Sequence, residues 1–224
     1  LALASNPMLA AAIMLPLLLV MDALGIRAYW RRWHIPTMRS LILPMLAGVV
    51  VGAVLFAVVN PDWLRILLAL VAFYVLVDRW GLLARMGLAV KASQQTTPEP
   101  GGVIAWVLGT LLGITSTIAH AGGAAGSAYL LRFNFDKTTF QATTILTFTA
   151  VNLMKMPFYI AIGQFPVSTL TLSAVLLPVA IAAMLLGVVL HRIMPERPFF
   201  IIMEAALFVT ASKLMWDGVT GLLA

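Results

Sequence analysis

The sequence predicts an all-α polytopic membrane protein, and three observations carry the prediction. Hydrophobic residues make up 62% of the 224 and charged residues 10%, with a mean hydropathy of +1.03; a soluble domain carries roughly 25% charged residues. The apolar residues gather into runs bounded by turn signals, each of a length suited to a bilayer. One stretch, Ser116-Thr117-Ile118-Ala119-His120-Ala121-Gly122-Gly123, sets hydroxyls, an imidazole and a glycine pair in otherwise lipid-soluble sequence. Polar groups and flexible backbone are costly in hydrocarbon unless they line a cavity or pack against protein.

About seven membrane segments follow in order. The first covers about Met8 to Tyr29 and the second about Met38 to Val59. Asn60-Pro61-Asp62 turns the chain into a third, about Leu64 to Val77. Residues 79–101, with the run Lys91-Ala92-Ser93-Gln94-Gln95-Thr96-Thr97-Pro98-Glu99-Pro100, form a linker that divides the chain into a first membrane repeat (1–78) and a second (102–224). The second half holds a glycine-interrupted stretch at Gly102–Leu131, then Thr139–Gly163, Thr169–Leu190 and Phe199–Leu223.

The halves match at an offset of 130: Ala12 with Ala142, Asp22 with Asn152, Tyr29 with Tyr159, and Pro36 with Pro166. Leu43-Pro44 and Leu177-Pro178 follow with a four-residue slip. This is the signal of an internal repeat. The counterpart of Gly102–Leu131 falls before residue 1, so the expectation is that the chain begins after that segment.

Orientation follows from basic residues flanking the spans. If Gly102–Leu131 crosses once, Arg27, Arg31, Arg32, Arg39, Arg79, Arg85 and Lys91 oppose Arg65, Arg132, Lys137, Arg192 and Arg197, seven against five. If it dips in and returns, the last four join the first seven, and the split is eleven against one. The second split obeys the positive-inside rule far better. The sequence therefore favours a re-entrant or broken-helix hairpin at the glycine pair, two inverted repeats and a cytoplasmic linker. The 30 residues of 102–131 suit two arms of roughly 25 and 20 Å at about 1.5 Å per residue.

Composition also excludes chemistries. There is no cysteine, so disulfides, thiol catalysis and iron–sulfur centres are ruled out. His34, His120 and His191 lie far apart without ligand spacing, so no metal site and no cofactor is expected. The net charge of +6 lacks the long basic tracts of a nucleic-acid binder. No Walker motif couples ATP.

An anion crossing a bilayer needs its hydration replaced by donors and positive potential. A helix broken at Gly122-Gly123 offers both at a half-helix N-terminus. Ser116 and His120 are four apart, so on a helix they share a face, which makes them, with Thr117, candidates for oxyanion contact. The structural alternative has His120 donating to a carbonyl and Ser116 bonding back to its own helix. The next span carries Gln141, Thr144, Asn152, Lys155 and Tyr159 along one stripe, interrupted by Phe148. Lys155 is the one cation well inside it, either an anion ligand or a snorkelling side chain. Asp22, the acid of the first span and repeat mate of Asn152, is a coupling or charge-pairing group for Lys155, or else a partner of Arg27. Glu204 and Lys213 read as interfacial or pairing groups.

These residues resemble the TauE/SafE sulfite exporter family. The resemblance rests on Ser116–Gly123 with Tyr129-Leu130-Leu131, on Phe140-Gln141-Ala142-Thr143-Thr144, and on Asn152-Leu153-Met154-Lys155. In the first half it rests on Leu15-Pro16-Leu17-Leu18-Leu19-Val20-Met21-Asp22 and Gly25-Ile26-Arg27-Ala28-Tyr29, with Lys213-Leu214-Met215-Trp216-Asp217-Gly218 at the end. The family's glycine-rich first segment is absent, and Ala124-Ala125 stands where its prolines would be. The resemblance implies a bacterial inner-membrane exporter of sulfite, sulfonates or related small oxyanions. The expected partners are such an anion and the lipid bilayer, with a homodimer as the candidate assembly. Alternatives are a carrier of another small anion, such as a carboxylate, or an intramembrane hydrolase using Ser116 and His120. The hydrolase lacks a G-x-S-x-G context.

Overall fold

The structure is a computed structural model in which residues 7–55, 61–81, 99–120, 122–163 and 165–223 are described. Among them are eight helices and no strand: α1 (Pro7–Ala28), α2 (Ile35–Leu55), α3 (Pro61–Arg79), α4 (Gly102–Ala119), α5 (Gly123–Leu130), α6 (Lys137–Ala161), α7 (Val167–Ile193) and α8 (Glu196–Leu223). Three of these, α2, α7 and α8, are long and apolar enough to cross a membrane, and α3 and α4 hold shorter apolar stretches. Residues 82–98 of the expected linker lie outside the described residues.

Helices extend past the apolar runs where local chemistry favours it. Pro7 and Pro61 open α1 and α3, at a position where the missing N–H has no intrahelical acceptor to lose. Asp136 caps α6 by accepting from the amides of Thr138 and Thr139 at 2.9 and 3.1 Å, starting the helix ahead of Thr139. Lys137 donates to the carbonyls of His191 at 2.7 Å and of Met194, holding the end of α7. A cation there also meets the negative end of the helix dipole.

Glycines set the closest crossing. Gly48 and Gly52 of α2 and Gly109 and Gly113 of α4, four residues apart on each helix, line the crossing, with Gly48 against Gly113. A Cβ at Gly52 would lie 3.0 Å from Ile114 Cα, and one at Gly109 would lie 2.7 Å from Pro44 Cβ. Such small-residue contacts let helix backbones approach where no water is expelled to drive association. α2 and α4 run parallel, since Gly109 meets Leu41 and Pro44 while Gly52 meets Ile114 and Thr117.

The chain doubles back after α4. Tyr129, near the end of α5, accepts from the amide of Gly101 at 3.1 Å and bonds Ser40 near the start of α2 at 2.9 Å. His34 donates its amide to Thr143 of α6 at 2.9 Å. The α1–α2 turn, the end of the linker, the α5–α6 turn and the α7–α8 turn therefore share one face. Arg27, Arg31, Arg32, Arg39, Arg132, Lys137, Arg192 and Arg197 cluster there.

α6 lies antiparallel to α1 and parallel to α2; α7 lies parallel to α1, with Ser173 donating to the Ile13 carbonyl at 2.9 Å. α3 and α8 pair antiparallel, with Gly218 against Ile66 and Trp80 donating to Glu204 at 3.0 Å. α2 is covered by α4, whereas α7 turns most of its apolar side chains outward.

Candidate functional site

The site is built where α4 ends. The helix stops at Ala119, and His120 takes a left-handed conformation (φ 50°), unusual for a residue with a Cβ. Gly122 precedes α5, and a Cβ there would lie 3.0 Å from both the Leu112 carbonyl oxygen and Ser116 Cβ. Glycine lets the chain approach α4 closely at this position. A Cβ at Gly123 would meet nothing within 4 Å.

The broken end of α4 is held by α6. Buried Lys155 donates to Ser116 Oγ at 3.1 Å and to the Ser116 carbonyl at 3.3 Å. Tyr159, one turn on, donates to the Thr117 carbonyl at 2.9 Å. Both partners sit at the carbonyl end of a helix, where a cation or an O–H satisfies an acceptor with no intrahelical donor. Asn152, one turn before Lys155, donates its amide to Asp22 Oδ2 of α1 at 2.8 Å. The bond joins residues 130 apart, the repeat mates of the sequence comparison.

Together these groups line a cavity of about 330 Å³. Asp22, Ser116, His120, Gly123, Gln141, Thr144, Asn152 and Lys155 face it, with Met14, Leu18, Ile145 and Phe148 as its apolar walls. The Asp22 carboxylate and the Lys155 ammonium attract one another across it. His120 stacks edge-on to Tyr159, ring centres 5.9 Å apart. Neither of its buried ring nitrogens has a partner among the described residues. One ammonium, one carboxylate, an imidazole, a serine and two amides thus surround a space inside the helices.

Most residues singled out in the sequence converge here, with corrections. Ser116 and His120 meet in the cavity, but not on one helical face, because α4 ends between them. Among the described residues His120 donates to no carbonyl, and Ser116 accepts from Lys155. Lys155 points inward and does not snorkel. Thr117 does not line the cavity, and its hydroxyl turns back to the Gly113 carbonyl at 2.8 Å. Thr144 lines the cavity while donating to the Phe140 carbonyl at 2.8 Å. Arg27 is exposed and lines a separate recess with Ala23, Ile26 and Trp30; the partner of Asp22 is Asn152. Glu204 and Lys213 lie away from the site, Lys213 in an ion pair with Asp217 at 2.8 Å. Sequence reasoning missed Met14 and Leu18, which share a face of α1 with Asp22 at four-residue spacing.

The described residues form helices, three of them of membrane length, and ionisable groups lie buried between α1, α4, α5 and α6, as in a polytopic membrane protein. The chain belongs to the sulfite exporter TauE/SafE family, a transporter family: the family's profile matches residues 1–214. No curated protein and no solved structure matches it.

Proposed function

We propose that the protein is a secondary transporter that exports sulfite, or a related small organosulfur or sulfonate anion, across the bacterial inner membrane. The observation that carries this reading is Lys155, a buried cation facing a cavity at a broken helix. An ammonium has three donors, and Ser116 accepts two of them, which leaves one for a solute. His120, Asn152 and the first amides of α5 supply neutral donors around it. Asp22 balances the charge when the site is empty, and the anion competes with it for Lys155.

Alternating access of two inverted repeats, residues 1–78 and 102–224, is the mechanism we infer. It is supported by the antiparallel pairing of α1 with α6 and of α3 with α8, and by the Asp22–Asn152 bond between repeat mates. The shared basic face supports a cytoplasmic position for the linker, 79–101, with α4 and α5 as a hairpin that enters and leaves on that side. Export then runs with the membrane potential. At about 100 mV, inside negative, each leaving charge gains about 2.3 kcal/mol and a dianion about 4.6.

The test is sulfite flux in proteoliposomes under an imposed potential. Potential-driven flux that is lost in both Lys155→Ala and His120→Ala is the expected result. Well-folded protein without sulfite flux removes sulfite, and a panel of sulfonates and carboxylates then defines the anion. Flux unchanged by both substitutions removes this site.

A further inference from the structure

A second cavity, of about 280 Å³, lies between α5 and α8. It shares two residues with the first, His120 and Gly123. Its remaining wall includes Ser127 of α5 and Ala206, Thr210 and Leu214 of α8. His120 and Gly123, at the tip of the α4–α5 hairpin, therefore lie between the two spaces and form a wall shared by both.

The wall has the features of a passage. At Gly123 no side chain closes it, and an added Cβ would meet nothing within 4 Å. His120 lines both spaces, and neither of its ring nitrogens has a partner among the described residues. A buried imidazole left in this way gives up hydrogen bonds that most buried polar groups retain, which suits a group that exchanges partners as a solute moves past. Ser127 and Thr210 put hydroxyls on the far side, where the rest of the lining is largely apolar.

We propose that the α5–α8 cavity is the second compartment of the substrate route, entered from the Lys155 cavity past His120 and Gly123. Gly123 is then the size-determining residue, and the ligand class is the small anion of the first compartment. The inference rests on the transporter reading.

The chain has no cysteine, so single cysteines report without background. Ala206→Cys and Ser127→Cys are placed in sulfite-transporting vesicles and treated with a membrane-impermeant thiol reagent bearing a sulfonate. The flux of each variant is compared before and after labelling. The expected result is labelling that is slowed by added sulfite and that lowers flux at least tenfold in at least one variant. In parallel, Gly123→Leu loses flux to bulky sulfonates before it loses flux to sulfite. Labelling confined to membrane-permeant apolar maleimides, or labelling that leaves flux intact, shows a lipid-facing groove and overturns the inference alone. Absence of flux in wild-type vesicles for sulfite and for every sulfonate and carboxylate of the panel overturns the transporter reading and this inference with it.

Discussion

Replacing Lys155 by Met tests whether the cation and the carboxylate of the core are a coupled pair. Met keeps much of the length and volume and removes the charge. Two hydrogen bonds to Ser116, at 3.1 and 3.3 Å, are lost, and bonds from charged groups contribute about 1.5–3 kcal/mol when well formed. Asp22, buried at 9% exposure, then faces the cavity with Asn152 as its hydrogen-bond partner and no compensating cation among the described residues. Removing one partner of a buried pair costs about 3–5 kcal/mol. We expect Lys155→Met to destabilise by about 3 kcal/mol. Asp22→Asn in the same chain should recover about 2 of these, because a neutral amide still pairs with Asn152. For a chain of this size 1 kcal/mol shifts Tm by about 2–4 °C, so the recovery is about 4–8 °C. The assay is thermal unfolding in detergent, read by fluorescence of the six tryptophans, for both single variants and the double. Flux should stay lost in the double variant, since the anion's cation is gone. Melting shifts that add within the ~0.5 kcal/mol of independent sites refute the coupling and the charge balance proposed for the empty site.

Three further outcomes follow from the same geometry. Tyr159→Phe leaves the Thr117 carbonyl without its donor; we expect a loss of about 1–3 kcal/mol, seen as a lower Tm with secondary structure retained by circular dichroism. Gly113→Val forces α2 and α4 apart, since a Cβ there would lie 2.7 Å from the Val49 amide nitrogen; overpacking of this kind costs about 1–3 kcal/mol or more, and susceptibility to proteolysis in micelles should rise. Asp136→Ala removes the cap of α6 at about 1 kcal/mol. Partial burial raises the pKa of Asp136, but hydrogen bonds from Thr138 and Thr139 outweigh it and leave it below the usual carboxylate value. The stabilisation is therefore complete above about pH 3.9 and disappears as pH falls through the lower folded value. Melting curves of wild type and Asp136→Ala should converge only in that acid range.

Hydropathy and turn residues placed the helices to within a few residues, because each such signal is local. Asp136 and the prolines account for most of the shifts at helix starts, and they too act on adjacent backbone. The break near Gly122-Gly123 was legible for the same reason. So was the return of the chain, since basic residues gather on one side only if α4 and α5 come back to it.

Neighbours in space were another matter. Spacing assigns residues to a face of a helix, yet the partner of that face depends on how the helices cross. Ser116 and His120 were expected on one helical surface, and they meet because the helix ends between them. Thr117 belonged to the same motif, but helix rotation directs its hydroxyl to Gly113. Arg27 is five residues from Asp22 and points elsewhere, while Asn152, 130 residues away, takes the carboxylate. The sequence alone determined a membrane-embedded helical chain with polar chemistry at one broken segment. The tertiary structure alone decided that Lys155 turns inward onto that break, because the depth of a charged side chain is set by the helix ends and crossings around it.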